Sequence, residues 1–139
     1  HSKLFANVRE RMSLCYYCSS RYDRNKGIMM VESGVEAANM EKARTEIIRQ
    51  LEEVKLGHFD DNELAAAKLS LANNFRTISD YLSAMESWSL LQTFDRKAYT
   101  PFEAADEVEK ITRDEVIFAA NRVTLDTVYT LTGNEEAEA

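Results

Sequence analysis

The stretch from Asn7 to Glu36 constrains the fold of this chain most tightly. Leu4, Phe5 and Val8 recur at helical spacing ahead of it, with Ser2 as a candidate N-cap. From Leu14 the pattern changes. Tyr16, Tyr17, Cys18 and Tyr22 favour a strand. Asp23-Arg24-Asn25-Lys26-Gly27 carries turn chemistry, and Ile28-Met29-Met30-Val31 is a continuous apolar run, as in a strand covered on both faces. A helix leading into an antiparallel hairpin, followed by amphipathic helices, predicts an α+β domain with long helices on one face of an antiparallel sheet.

The rest of the chain reads as helix until near its end. A helix from about Asn39 to Leu56 presents Ala43, Ile47, Leu51 and Val54 as its apolar stripe and stops at Gly57. Its wet side carries Lys42/Glu46 and Arg49/Glu53 at ion-pair spacing. Three capping boxes follow, at Asp60/Glu63, Thr100/Glu103 and Thr112/Glu115, the second with Pro101 at the first helical position. The helix after Asp60 predicts a buried face of Leu64, Ala67, Leu71, Phe75 and Ile78. The next, about Asp80 to Phe94, buries Leu82, Met85, Trp88 and Leu91 or Gln92. The helix capped at Thr112 runs to about Val123. Thr127 to Thr132 alternates as a last strand that rejoins the sheet. Residues 1–133 form one domain, and 134–139 are an acidic tail.

Composition narrows the function. The chain has 139 residues, is 45% hydrophobic and 29% charged, and carries a net charge of -7. No basic stripe is present, so nucleic acid is not an expected partner. No apolar run approaches the roughly 20 residues that span a membrane. Two cysteines without other partners fit a reducing cytoplasm.

Arg9-Glu10-x-x-Ser13-Leu14-x-Tyr16 resembles the Arg-Glu-x-x-Gly-Leu-x-Tyr motif of the pitrilysin/insulinase/mitochondrial-processing-peptidase family of zinc metallopeptidases, and specifically its C-terminal, non-zinc domain. Ser2-Lys3-Leu4-Phe5 is similar to that family's Ser-Arg-Leu-Phe helix start, and the helices and closing strand follow in its order. The run Ser13 to Ser20 is closest to a degenerate bacterial subgroup linked to aminopentanol modification of elongation factor P and encoded beside a paralogue with a zinc motif. The resemblance implies a ferredoxin-like half of a clamshell, truncated at its N-terminus, with a strand or more preceding His1. It implies a zinc-bearing N-terminal half of the same chain, a homologous zinc-bearing subunit and a peptide substrate as partners. It also gives Arg9 the role of holding substrate backbone and Tyr16 that of stabilising a tetrahedral intermediate. Ser13 stands where the family has Gly, which puts the aim of Tyr16 in question.

Zinc itself is not expected in this chain. A hydrolytic site needs about three protein ligands and an open position, and the two histidines, His1 and His58, have no histidine neighbour at helical spacing. Cys15 and Cys18 have CxxC spacing but no second pair, and on a regular strand they face opposite sides. Arg9 and Tyr16 are therefore the candidate substrate-binding residues; no residue here is a candidate catalyst or metal ligand. Glu32 and Glu36 read as outward-facing strand charges, and Met29 and Met30 as core.

Three functions compete. The first is the C-terminal part of an active zinc metalloendopeptidase whose zinc motif lies upstream. The second is a catalytically silent paralogue that pairs with an active subunit. The third is an unrelated helical interaction module. The Tyr16-Tyr17-Cys18 run, through its resemblance to the degenerate subgroup, favours the second.

Overall fold

The computed structural model describes residues 4, 7–8, 12–94 and 97–133. Of the expected first helix, Leu4 is α-helical and Asn7 and Val8 lie in a π-helical turn; the remainder is outside the described residues, as is the acidic tail. Two strands follow, β1 (Cys15–Asp23) and β2 (Ile28–Val35), then a 3-10 turn at Ala37–Asn39. Five α-helices complete the order: α1 (Met40–Lys55), α2 (Asp61–Arg76), α3 (Leu82–Gln92), α4 (Pro101–Lys110) and α5 (Arg113–Asn121). A 3-10 turn, Thr77–Asp80, joins α2 to α3.

The hairpin is antiparallel, and Asp23 builds its turn by accepting from the backbone N–H groups of Asn25 and Lys26, each at 3.1 Å. Those bonds hold the Asp23 carboxyl below its usual range. One face of the hairpin is packed. Val8, Leu14, Cys18 and Ala43 form a buried cluster, with Val31, Val35 and Ile47 against it. The opposite face is open. Met29 and Met30 are 37% and 45% exposed, and Ile28 is exposed too, so the apolar run is neither covered on both faces nor core. Alternation puts Ile28 and Met30 on the open face; Met29 shares the face of Val31 but is not part of the buried cluster.

A second cluster joins Ala72 of α2 to Ala105 and Val108 of α4, with Phe75 and Ile111 alongside. Arg76 ties the same helices by pairing with Glu109 at 2.6 Å, and Lys68 Nζ donates to the Ile111 carbonyl at 2.8 Å. The buried position on α2 is therefore Ala72, whereas Ala67 and Leu71, expected inside, are exposed. Likewise Leu82 is exposed and Gln92 is the buried member of the α3 face. All three capping boxes form with both reciprocal hydrogen bonds. Gly57, at φ 75°, ends the α1 turn in the left-handed conformation that glycine adopts without strain.

Two polar residues expected in solvent or left unassigned are buried on α1. Glu46 is 7% exposed and takes both ends of the Arg49 guanidinium, at 2.8 and 2.7 Å, as well as the Gln50 amide at 2.5 Å. Gln50 in turn accepts from Asn7 Nδ2 at 2.8 Å. The Arg49–Glu53 pair forms as expected, at 3.5 Å.

Residues 124–133 have no strand pairing, and Tyr129 and Leu131 are exposed. The expected final strand is thus absent here: its alternation suits a sheet, but a strand exists only where an edge pairs with it. No described helix is long and apolar enough to cross a membrane.

Candidate functional site

The candidate site begins at Ser13. Its φ of 50° is left-handed, the conformation that the glycine of the resembled motif would favour. The turn is made by serine at a local cost, and Leu14 N–H closes it onto the Val8 carbonyl at 3.2 Å.

The strand that follows is irregular. Cys15 pairs with Val35 and Tyr17 with Gly34, so Tyr16 is an extra residue in a bulge. The bulge turns Tyr16 outward, 66% exposed. Its hydroxyl donates to Glu36 Oε1 at 3.1 Å, just past the end of β2. Tyr17 lies across Gly34, where a Cβ would meet its ring at 2.4 Å; only glycine leaves room for that ring in this position.

Of the two expected site residues, Tyr16 is at the open end of the hairpin and Arg9 lies outside the described residues. Glu36, read as a solvated charge, is the partner that the structure brings to Tyr16. In a regular register Tyr16 would oppose Val35 rather than reach toward Glu36. Gly34 was the available signal of the bulge.

The Glu36 hydrogen bond, and then its charge, push the Tyr16 phenol above its ordinary range. A raised folded value means that the contact's contribution is complete below the ordinary tyrosine pKa and is lost as pH rises through the raised one. Ultraviolet titration should therefore show the Tyr16 phenol ionising late, and earlier in Glu36→Gln. A Glu36→Gln profile identical to that of the parent would refute the contact.

The same bulge changes the cysteine geometry. Cys15 and Cys18 oppose Val35 and Ser33, two residues apart on β2, so both thiols share one face and pack on one cluster. The expectation of opposite faces holds only for a regular strand. Burial, then the neighbouring Cys15, raises the Cys18 thiol pKa. Alkylation near neutral pH followed by peptide mass mapping should modify half-buried Cys15 at least ~10-fold faster than Cys18, because reaction needs an accessible thiolate. Equal rates would contradict this packing.

The side chains present do not fit the zinc implied by the resemblance. Among the described residues no three His, Cys, Asp or Glu side chains converge. His58 meets Glu53 alone, at 3.2 Å, and the two thiols make only a pair; both fall short of the three ligands a hydrolytic site uses.

Residues 1–71 match the family described as the Peptidase M16 inactive domain. The chain belongs to that family. Across 99% of its length it is 36% identical to the "Probable inactive metalloprotease YmfF" of Bacillus subtilis (strain 168). A crystal structure of a conserved protein from Enterococcus faecalis V583 aligns with 88% of the chain, at a TM-score of 0.77 and 31% identity. This M16 inactive domain spans 32% of the first relative and 29% of the second, about a third of each. The α+β arrangement of a two-stranded antiparallel sheet with five helices is thus matched within a larger structure.

Proposed function

We propose that this M16 inactive domain is the non-catalytic part of a pitrilysin-type, metallopeptidase-like protein, which binds peptide and assembles beside a zinc-bearing half or homologous subunit. The observation that carries the reading is the family match over the segment that holds the bulged strand and Tyr16. In the assembled cytoplasmic protein the domain is the ferredoxin-like half of a clamshell. The hairpin and the unpaired 127–132 segment then complete their pairing with strands from the rest of the protein. The run Ser13 to Ser20 supports the finer assignment, to the degenerate subgroup linked to elongation factor P modification.

Arg9 supplies a cation to hold substrate backbone carbonyls. Tyr16 contributes differently from an oxyanion donor. Its proton is engaged by Glu36, and a carboxylate beside a developing oxyanion opposes the charge that catalysis must stabilise. With the proton so placed, the phenol oxygen and Glu36 both present acceptors, suited to peptide N–H groups or a basic side chain. That chemistry binds peptide without accelerating hydrolysis.

The test uses the full-length protein. Purified alone, it should cleave no peptide; zinc without activity would place the zinc-bearing half in the same chain, and no zinc would place it in a partner subunit. With its zinc-bearing subunit it should bind peptide, and Tyr16→Phe should weaken that binding roughly 3–10-fold, the worth of about one hydrogen bond. Stoichiometric zinc, lost together with activity on chelation, would instead make the protein an active zinc metalloendopeptidase and this domain its C-terminal part.

A further inference from the structure

The bulge that turns Tyr16 outward also brings together two side chains that take no part in that site. Cys15 stands opposite Val35 and Cys18 opposite Ser33, two positions apart on β2 and so about 7 Å apart along the strand at ~3.3 Å per residue. The two thiols hydrogen-bond each other, and the Ser33 hydroxyl reaches the Cys18 sulfur. Their surroundings are apolar. Cys18 is buried with Val8, Leu14 and Ala43, and Cys15 packs against that cluster together with Val35. Cys15 is only half-buried, so one side of the pair is open to solvent.

Geometry separates the uses such a pair can have. A zinc site takes three or four protein ligands, and among the described residues no third His, Cys, Asp or Glu side chain joins the thiols. A disulfide needs Cα atoms roughly 4.4–6.8 Å apart. The pair stands at or beyond that limit, and a hydrogen-bonded hairpin resists contraction. A soft, closed-shell monovalent ion such as Cu(I) needs neither more ligands nor a shorter span. It prefers thiolate to oxygen ligands, and two thiolates in line satisfy it. The sulfurs then lie about 4.6 Å apart, at ~2.3 Å per metal–sulfur bond, a modest opening of the contact that the thiols already make. The apolar cluster keeps water from competing for the metal, and the Ser33 hydroxyl stabilises the Cys18 thiolate by donating to it.

We propose that Cys15 and Cys18 form a two-thiolate site for a single Cu(I) ion, reached from the side of Cys15. On binding, both thiol protons pass to solvent and two sulfur–metal bonds form. The metal keeps its oxidation state, and the complex carries one net negative charge where two free thiolates would carry two. The site does not rest on the function proposed for Tyr16.

The test is anaerobic titration of the reduced full-length protein with Cu(I), in competition with the chromophoric chelator bicinchoninate. The parent should hold one equivalent more than Cys15→Ser or Cys18→Ser. Loading should also slow alkylation of Cys15 at least ~10-fold, because the metal occupies the thiolate that reacts. Copper held equally by the parent and both variants would overturn the proposal, as would alkylation of Cys15 at an unchanged rate. Conversion of the pair to a disulfide in place of metal uptake, read by peptide mass mapping, would overturn it too. If circular dichroism shows that Cys18→Ser unfolds, Cys15→Ser decides: a retained equivalent overturns the site and a lost one supports it.

Discussion

Arg113→Met is expected to destabilise the domain by about 2–3 kcal/mol, a loss of roughly 6–10 °C in Tm. Arg113 opens α5 and reaches back to the corner between α1 and α2. Its Nη2 donates to the Gly57 carbonyl at 2.7 Å and to the Phe59 carbonyl, and the guanidinium lies 4.5 Å from the Phe59 ring centre. Methionine keeps the stem and its packing but leaves two partly buried carbonyls without their charged donor. The pair with Asp61, whose side chain is 96% exposed, adds little. Arg113→Lys should recover only part of the loss, because an ammonium lacks the planar face that lies on the Phe59 ring and the second nitrogen that reaches Asp61. Denaturant unfolding measures both variants. A change below about 0.5 kcal/mol for Arg113→Met would show that the corner holds without it.

Ala72→Leu should cost about 2–3 kcal/mol, whereas Leu71→Ala, one residue away, should cost well under that. Ala72 and Ala105 have no exposed surface where α2 meets α4, so a larger side chain forces the helices apart. Leu71 is 43% exposed and forfeits little when shortened. The comparison tests directly which face of α2 is inside. Equal costs, or a larger one for Leu71→Ala, would mean that the helix is rotated from the position described.

That pair also shows what a reading of residue types can and cannot reach. The helices are legible because their starts are chemical: Asp60, Thr100 and Thr112 each find a glutamate three residues on, and each box forms. The hairpin is legible because Asp23 and its followers carry turn chemistry. Buried faces are harder, because apolar patterning rewards size. A close helix seam instead selects small residues, and Ala72 loses to Leu71 on any hydrophobic count. Glu46, Gln50 and Gln92 are hidden for a different reason. Each is acceptable inside only through partners on neighbouring turns or elements, which spacing alone does not pair. The final strand is unformed within this chain because alternation reports a sheet-compatible segment and not the edge it needs. At the candidate site, the family motif marked Tyr16, while the Glu36 contact and the shared face of the cysteines depend on one inserted residue.

The buried apolar clusters described above share no residue: one binds the hairpin to α1, the other binds α2 to α4. Unfolding such a chain need not be a single event, since exposing one cluster leaves the burial within the other intact. Amide hydrogen exchange should sort into two protection classes, one across β1, β2 and α1, the other across α2 and α4. The grip of Arg113 on the corner between α1 and α2 is then a cooperativity element, and cutting it should broaden the melting transition as well as lower it. A peptide that engages Tyr16 would act on the first class alone, and the helical pair would remain closed beneath it.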